Sequence, residues 1–352
     1  MIKNLYIENF RGFESFKMED LGRITLISGK NNIGKSTLLE ALFLMMDHTS
    51  NDSFMKINGF RGSSISGIQT LWEPLFYALD TDRQITIKMN DSDSTLCLVY
   101  KKDQDYIPAE GKGVPDEILA QFRTATKNAY SLFFAFDKND YHEEGHFSMN
   151  GISSMRQIST SLAGNEIMTL KPTQYINSAF ARMTDNVLDG IGKLELKGEK
   201  DLIIRILREL DPSVDDILTL AINGLTQLYL RKEGRLIPLQ YAGDGIMKLL
   251  NICLAIIERK DGLLLIDEVE TGLHYSMYKK LWSIIDKLSE NSRCQIVATT
   301  HSYELISAVK DGIERPSDFS YFRIGQRKNG ISSFRYSYEM LSDALLSEME
   351  VR

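Results

Sequence analysis

The sequence has little of several features that would assign it to a narrower class of protein. Only 3 of its 352 residues are cysteine, and Cys97, Cys253 and Cys294 lack the spacing of a metal-binding motif. Scattered cysteines are typical of a reducing compartment, so we expect a cytoplasmic protein. No apolar run approaches the roughly 20 residues that cross a bilayer, and the amino terminus lacks the apolar core of a signal peptide. We therefore expect no contact with a membrane.

Basic charge is also scarce, because 41 lysines and arginines are outnumbered by 48 aspartates and glutamates. The net charge of −7 excludes a broadly basic surface, so any contact with DNA needs a local basic patch. No internal repeat is present, and no segment sustains three heptads of a coiled coil. A hydrophobic content of 43% and a charged content of 25% are ordinary for a globular protein.

Residues 29–36 read "GKNNIGKS" and fit the phosphate-binding pattern G-x-x-x-x-G-K-[ST] at every fixed position. A β-branched apolar segment precedes this P-loop and helix-forming residues follow it, which is the strand, loop and helix that the pattern requires. Gly34 lets the backbone approach phosphates, and N–H groups at the helix start attract the anion. The pattern predicts that Lys35 reaches the β- and γ-phosphates and that the Ser36 hydroxyl binds Mg²⁺. The other residues of the loop that we predict to bind nucleotide are Asn31, Asn32 and Thr37.

Two further buried strands end in polar residues. "GLLLIDE" begins at residue 262 and places two acids at the carboxyl end of a predicted parallel strand, which is where such sheets bind ligands. We predict that Asp267 holds Mg²⁺ through water and that Glu268 polarises the attacking water. The alternative is an acidic helix cap after an ordinary strand. His301 follows the second strand, either as a core histidine or as a catalytic residue that senses the γ-phosphate.

A glycine-rich turn, "AGDG", opens a long predicted helix just before the acidic strand. Gly243 and Gly245 would expose backbone N–H groups at a helix start, where an anion binds. The alternative is a plain helix N-cap at Asp244. The position of this turn, between the P-loop and the acidic strand, favours nucleotide binding by Gly243, Asp244 and Gly245.

Taken in this order, the motifs resemble the branch of ABC-type ATPases that contains RecF, the SMC proteins and the OLD-like AAA family. The resemblance covers residues 1–46 and 200–310, and it is carried by "LYIENFRGFESFKMEDLGRITLISGKNNIGKSTLLEA", "AGDGIMKLL", "LLLIDEVETGLH" and "TTHSYEL". It implies an α/β fold with a mixed amino-terminal β-subdomain, a core parallel sheet flanked by helices, and an inserted helical or irregular arm. It also implies Mg²⁺-dependent ATP hydrolysis in a homodimer or higher oligomer.

The resemblance further implies how the site residues are divided between the two subunits of a dimer. Residues 243–245 of one subunit would bind the γ-phosphate held by the other, and residues 269–274, "VETGLH", would form a D-loop that crosses the interface. Arg11 would lie near the base and ribose. "AGDG" departs from the L-S-G-G that is usual at this position. Two glutamines, Gln174 and Gln69, are candidates for the Q-loop position.

We predict three regions. Residues 1–100 form the amino-terminal half of the ATPase domain, residues 101–199 an inserted arm or lid, and residues 200–352 the carboxyl-terminal half. Residues 101–170 are predicted to be polar and irregular, with short helical pieces. The zinc-protease pattern H-E-x-x-H occurs at residues 142–146, but Gly145 and the polar surroundings favour a loop over the helix that zinc binding needs.

Three functions are consistent with these motifs: an ATPase that controls a separate effector, a DNA clamp, and a stand-alone regulatory ATPase whose partner is a host protein. No late D-x-D cluster of a TOPRIM nuclease is present, so we expect a motor that acts on a separate effector protein. In the first hypothesis it is the ATPase of a two-gene anti-phage defence system whose effector is a nuclease, such as a TOPRIM-like one, or a toxin. In the second it is a RecF-like repair ATPase that acts as an ATP-gated clamp on DNA, and salt-dependent DNA binding would distinguish the two.

Overall fold

The protein is described by a computed structural model that covers residues 1–48, 53–59, 61, 72–90, 93–102, 130–150, 153–162, 171–177, 184–328 and 330–352. The strands in these ranges are β1 (Leu5–Phe10), β2 (Phe13–Met18), β3 (Ile24–Gly29), β4 (Ile85–Met89), β5 (Ser94–Lys102), β6 (Tyr130–Lys138), β7 (Tyr141–Asn150), β8 (Ser153–Leu162), β9 (Thr173–Ile176), β10 (Val214–Ile222), β11 (Leu225–Lys232), β12 (Arg235–Pro238), β13 (Leu263–Ile266), β14 (Gln295–Thr299), β15 (Phe319–Arg327) and β16 (Gly330–Tyr336). The helices are α1 (Lys35–Asp47), α2 (Ser53–Gly59), α3 (Thr184–Lys197), α4 (Lys200–Leu210), α5 (Asp244–Glu258), α6 (Tyr278–Ser292), α7 (Tyr303–Gly312) and α8 (Tyr338–Leu346).

The core sheet has the strand order β16-β15-β3-β14-β13-β9. Its strands pair in parallel, apart from β16, which runs antiparallel to β15. Every residue of β13 is buried, as expected for a parallel strand that is covered on both faces. Leu264 and Ile266 pack with helices α3 to α7, whereas Leu263 and Leu265 pack with α1 on the opposite face. The carboxyl ends of β3, β13 and β14 therefore meet at one edge.

An antiparallel sheet of order β2-β1-β4-β5-β6-β7-β8 covers the α1 side of the molecule. Helix α1 is buried at nearly every position from Lys35 to Met46, because it lies between this sheet and the core sheet. A third sheet, β10-β11-β12, packs through Val214 and Ile217 against the α4 side of the core.

The prediction of an irregular chain over residues 101–170 was wrong for the part that the structure describes. Strands β6, β7 and β8 continue the antiparallel sheet beyond β5. Leu132, Phe134 and Phe136 are buried at every second position, which is the period of a strand with one face on the core. The predicted loop at residues 142–146 was wrong as well, because these residues lie on β7. Glu143 there is buried, and its Oε2 lies 3.7 Å from Nε2 of His48 at the end of α1.

Most other predicted elements are confirmed. The sequence also predicts a hairpin formed by residues 83–90 and 95–102, a strand from residue 173 and an amphipathic helix that ends at Asp211 and Pro212. They are present as the β4–β5 hairpin, strand β9 and helix α4. The β11–β12 hairpin turns at Glu233 and Gly234, which both have positive φ. A helix is predicted from the sequence over residues 275–289, and α6 begins three residues later because Tyr275–Met277 forms a 3-10 turn first. The three-region division stays a prediction, although β9, from the predicted arm, pairs with β13 in the core sheet. Across the described residues, none of the helices is both long and apolar enough to cross a bilayer.

Candidate nucleotide site

The P-loop joins β3 to α1 in the predicted order. Its two fixed glycines lie where a side chain would clash with neighbouring atoms. Gly34 has φ 101° and caps α1, and a Cβ built there would lie 2.8 Å from the ring of Phe13. A Cβ on Gly29 would lie 2.4 Å from the carbonyl oxygen of Ile324 on β15. Any larger side chain at either position would displace the loop.

Lys35 lies across the mouth of this loop. Its Nζ donates hydrogen bonds to the carbonyl oxygens of Gly29 at 2.8 Å and Lys30 at 2.9 Å. The side chain is only 5% exposed, and burial lowers its pKa to about 8, although the carboxylates of Asp267 and Glu268 act in the opposite direction. Lys35 is thus a buried cation held by two neutral carbonyl groups and by Nδ1 of His301 at 3.4 Å, partners that phosphate oxygens would outcompete.

Asp267 follows β13 and is fixed by side chains from both neighbouring strands. Its Oδ1 accepts a hydrogen bond from the Thr299 hydroxyl at 2.6 Å, and its Oδ2 accepts one from the Tyr175 hydroxyl at 3.4 Å. Burial, and next the negative charge of Asp267, raise the pKa of Tyr175, so this phenol stays a donor. The carboxylate is 6% exposed and held rigidly at the sheet edge, as a ligand for a cation should be.

Glu268 is the next residue and has an unusual backbone. Its φ is 47°, in the left-handed region, and its N–H donates to the Thr299 hydroxyl oxygen at 2.9 Å. Its Oε2 accepts a hydrogen bond from the Thr271 hydroxyl at 3.2 Å. The other oxygen, Oε1, lies 3.9 Å from Nε2 of His301. With 42% of its side chain exposed, Glu268 can reach a water molecule at the sheet edge.

His301 completes this group from the end of β14. Its Nδ1 lies 3.4 Å from Nζ of Lys35, and its backbone N–H donates to Oε1 of Glu270 at 2.6 Å. Burial, and next the nearby Lys35, lower the pKa of His301 below its usual value, so the imidazole is neutral at pH 7. The structure therefore brings Lys35, Asp267, Glu268 and His301 together, and His301 is not an isolated core histidine.

The glycine turn at residues 243–245 lies at the start of α5. Gly243, with φ 100°, is the N-cap, so the alternative of an N-cap at Asp244 was wrong. Gly243 and Asp244 are exposed. A Cβ on Gly245 would lie 3.2 Å from the carbonyl oxygen of Gly272, which shows that the turn packs against the D-loop segment, residues 269–274.

The remaining predicted residues surround α1. The guanidinium of Arg11 forms an ion pair at 3.0 Å with Glu40, which is 1% exposed. Arg61 pairs with the same carboxylate at 2.8 Å and also donates to the Thr37 hydroxyl at 3.0 Å. Asn31 and Asn32 are exposed in the loop, and Ser36 is half-buried. Nucleotide contacts by these residues stay predictions. Gln174 lies within β9, paired with Leu264, whereas Gln69 lies outside the described residues.

The donor set fits Mg²⁺ bound together with a nucleotide. Within the described ranges there is no group of three or more histidine, cysteine, aspartate or glutamate side chains that could hold a metal by itself. Mg²⁺ usually takes one or two protein oxygens and completes its shell with phosphates and water. The Ser36 hydroxyl and the fixed Asp267 carboxylate supply that number of oxygens.

Sequence reasoning missed several residues that the structure places at or beside the site, among them Tyr175, Lys248, Glu270 and Glu40. One signal for Lys248 was available, since it interrupts the apolar run "IMKLLNICLAI" on α5. The third acid in "DEVE" was the corresponding signal for Glu270.

The chain is similar in sequence to several known proteins. A sequence profile described as "AAA domain, putative AbiEii toxin, Type IV TA system" matches residues 24–307. The chain is 26% identical over 345 residues to a Helicobacter pylori protein named ATP/GTP phosphatase, which covers 91% of this chain and 90% of that protein. It is 25% identical over 325 residues to Septu protein PtuA of Bacillus thuringiensis, covering 88% and 73%. A shorter match of 111 residues, 31% identical, is to a Rad50 ATPase of Methanosarcina acetivorans named for DNA double-strand break repair, and it covers 30% of this chain and 10% of Rad50.

The fold is shared with SMC head domains. The "SmcHead bound to the C-winged helix domain of ScpA" superposes with a TM-score of 0.52, covering 96% of this chain and 98% of that one at 13% identity. An SMC head from Pyrococcus furiosus superposes with a TM-score of 0.50, covering 99% of both chains at 11% identity. The predicted α/β fold of an ABC-type ATPase is therefore confirmed.

Proposed function

This chain belongs to the family described as AAA domain, putative AbiEii toxin, Type IV TA system, and within that ATPase family we propose that it hydrolyses ATP with Mg²⁺ as a dimer and so controls a separate effector. The observation that carries the proposal is the group formed by Lys35, Asp267, Glu268 and His301 at one edge of the core sheet. These side chains come from three separate segments of the chain, the P-loop, the end of β13 and the end of β14, and each has the chemistry that phosphoryl transfer needs.

The roles follow from the positions of the side chains. Lys35 binds the β- and γ-phosphates, and Ser36 and Asp267 hold Mg²⁺, which when bound neutralises charge that develops on the phosphate oxygens. Glu268 accepts a proton from the attacking water, because its carboxylate is exposed and adjacent to the metal ligand. The neutral imidazole of His301, close to both Lys35 and Glu268, contacts the γ-phosphate.

Dimerisation is supported by two features that are exposed on the surface of a single chain, the glycine turn and the tyrosines beside it. The N–H groups of the glycine turn start a helix at the surface and are suited to an anion that a second subunit holds. Tyr241 is 74% exposed just before this turn, and Tyr275 is 66% exposed just after the D-loop segment. Large aromatic side chains on both flanks of one surface support its burial against a second copy.

The kind of effector is inferred from the relatives. Similarity to Septu protein PtuA, together with the toxin–antitoxin description of the family, supports the role in anti-phage defence. The effector would then be a nuclease or toxin encoded beside this chain, and ATP hydrolysis would change how the dimer holds it. The proposed Mg²⁺-dependent dimer provides two states, closed with ATP and open after hydrolysis, that an effector could distinguish.

Replacement of Glu268 by glutamine tests the proposal. We expect ATP to bind but hydrolysis to slow by about 10²- to 10⁴-fold, because the amide cannot accept the proton. The ATP-bound variant should form a larger species by light scattering, and a co-expressed neighbouring gene product should elute with it. Glu314→Gln is the control, since that carboxylate is 55% exposed and pairs only at the surface with Lys287. A normal hydrolysis rate in Glu268→Gln would remove the catalytic assignment, and an unchanged mass would remove the dimer.

A DNA clamp is the second candidate, and one local surface favours it. Gln326, Arg327, Lys328, Gly330 and Ser332 line an open depression of about 580 Å³ at the tip of the β15–β16 hairpin. The adjacent cations Arg327 and Lys328 could contact phosphates on DNA. Binding of duplex DNA that weakens steeply with salt would support the clamp, and an absence of binding at low salt would exclude it.

A further inference from the structure

Lys248 is a buried cation on α5, one turn after the glycine turn. Its side chain is 1% exposed, and its Nζ donates a hydrogen bond to the backbone carbonyl oxygen of Glu268 at 3.3 Å. Burial lowers the pKa of Lys248, while the negative charges of Glu270, Asp267 and Glu268 favour the charged form. An ammonium group is costly to bury, so a position that only needed volume would be filled by an apolar side chain.

The neighbours of Lys248 show that volume alone does not explain it. Met247, Leu249 and Leu250 on the same helix are buried and apolar, and they supply the packing of α5 against the core. Lys248 differs from them because its end group contacts the backbone of the residue that we propose as the general base.

That backbone is held in a sparsely populated conformation. Glu268 has φ 47°, and a residue in this region persists only when its surroundings hold it there. Thr299 holds its N–H, and Thr271 holds its carboxylate. Its carbonyl oxygen accepts the backbone N–H of Thr271 at 3.0 Å and Nζ of Lys248 at 3.3 Å, and Lys248 is the partner that comes from α5, the helix that the glycine turn begins.

Glu270 links the same lysine to His301. One oxygen of Glu270 accepts the backbone N–H of His301, and the other, Oε2, is buried without a hydrogen-bond partner among the residues that the structure describes. A buried carboxylate with an unused oxygen needs a nearby positive charge, and Glu270 interacts electrostatically with both Lys248 and Lys35. The cation on α5 therefore also compensates the group that orients His301.

We propose that Lys248 is a positioning residue that transmits occupancy of the glycine turn, residues 243–245, to the backbone of Glu268. A phosphate bound at the turn would shift the start of α5, and Lys248 would move the carbonyl oxygen of Glu268 with it. The carboxylate of Glu268 would then reach its catalytic position only when the second subunit is engaged. This inference rests on the proposed function, because it takes Glu268 as the general base and the turn as the partner's phosphate site.

Lys248→Met is the test, because methionine has similar length and no donor. We expect kcat for ATP to fall by about 10- to 100-fold, as is usual when a supporting hydrogen bond to an active-site group is removed. The affinity for Mg-ATP and the mass of the ATP-bound species should be close to those of the wild type. Lys248→Arg restores a donor and should recover part of kcat. Ile252→Val is the matched control, since Ile252 is fully buried on the same helix, and it should lower the melting temperature without lowering kcat.

The outcomes separate this inference from the proposed function. A kcat for Lys248→Met equal to that of the wild type would overturn it. A fall in kcat that follows the melting temperature in both Lys248→Met and Ile252→Val would overturn it too, since the lysine would then be a packing residue only. Glu268→Gln, assayed in parallel, reports on the proposed function by itself: if it hydrolyses ATP normally, the general base is wrong, whatever the Lys248 variants do.

Discussion

Nucleotide affinity should depend on the protonation of Lys35. In the nucleotide-free protein, burial lowers the pKa of Lys35 from 10.5 to about 8. At pH 7 most of the protein therefore presents an ammonium group to the phosphates. At pH 9 most of it presents a neutral amine, so that a proton must be taken up when nucleotide binds. Raising the pH through 8 should consequently weaken binding, although lysine is ordinarily charged throughout this range.

The size of the effect follows from the shifted pKa. With a pKa of about 8, roughly nine tenths of Lys35 is protonated at pH 7 and roughly one tenth at pH 9. If the bound phosphates hold the pKa above this range, affinity should fall about tenfold between these pH values, or about 1.4 kcal/mol. His301 does not contribute, because its pKa is lowered from 6.5 and it is already neutral at pH 7.

The assay is calorimetric titration with Mg-ADP, which carries the β-phosphate and avoids hydrolysis. Titrations at pH 9 in two buffers of different ionisation enthalpy should show uptake of about 0.9 proton for each ADP, against about 0.1 at pH 7. Lys35→Arg is the control, because a guanidinium group stays charged and should give weaker but pH-independent binding. A wild-type affinity that is flat from pH 7 to 9, or an equal decline in Lys35→Arg, would refute the argument.

The lowered pKa of Lys35 should affect stability in the opposite direction to nucleotide affinity as the pH rises. The unfolded chain carries a lysine with a pKa of about 10.4, so between pH 8 and about 10.4 the unfolded state binds more protons at this residue than the folded state. The contribution of Lys35 to the free energy of unfolding should therefore rise with pH across that window. Nucleotide affinity falls over part of the same window, so the two measurements together distinguish a titrating Lys35 from general alkaline loss of structure.

Two further predictions concern the elements that hold the P-loop. Glu40→Gln should lower the free energy of unfolding by about 3 kcal/mol in urea titrations, because it leaves the 8%-exposed guanidinium of Arg11 without its buried counter-charge; an unchanged midpoint would contradict this. Gly34→Ala should weaken Mg-ADP binding, because an alanine at φ 101° is strained by about 1 to 3 kcal/mol and its Cβ would lie 2.8 Å from Phe13. Wild-type affinity in that variant would show that the loop accommodates a side chain.

The parts of the site that could be predicted from sequence are those in which one short segment carries both the secondary structure and the chemistry. Residues 29–36 contain the strand end, the two glycines and the helix start, so the P-loop was predicted without tertiary information. Strands β6 to β8 were missed for the converse reason. In β6 an apolar Phe133 follows the buried Leu132 and blurs the alternation, and the cross-strand partners that hold β6 lie on β5 and β7.

Residues that act through distant partners left almost no local signal. Tyr175 and Asp267 are 92 residues apart, and their contact depends on β9 pairing with β13 at the edge of the core sheet. Glu40 reads as an ordinary helix residue until Arg11 and Arg61 are placed against it. The patterns identified the groups that we propose to contact nucleotide, whereas the groups that hold them in place depend on sheet order, which the patterns do not encode.

Under the proposed mechanism, each nucleotide site is formed by residues of two chains, which explains why one chain alone should be a poor ATPase. Lys35, Asp267, Glu268 and His301 are already in contact with one another or with shared partners in a single chain. The glycine turn of the same chain is exposed and packs against its own D-loop segment, so under this mechanism it would face the γ-phosphate held by a second copy. Closure by a second copy would add that copy's glycine turn, and hydrolysis would remove the phosphate that both copies share. An effector that binds only the closed dimer would then be released each time the two bound ATP molecules are hydrolysed. The rate of hydrolysis at Glu268 would therefore set how long the effector stays bound.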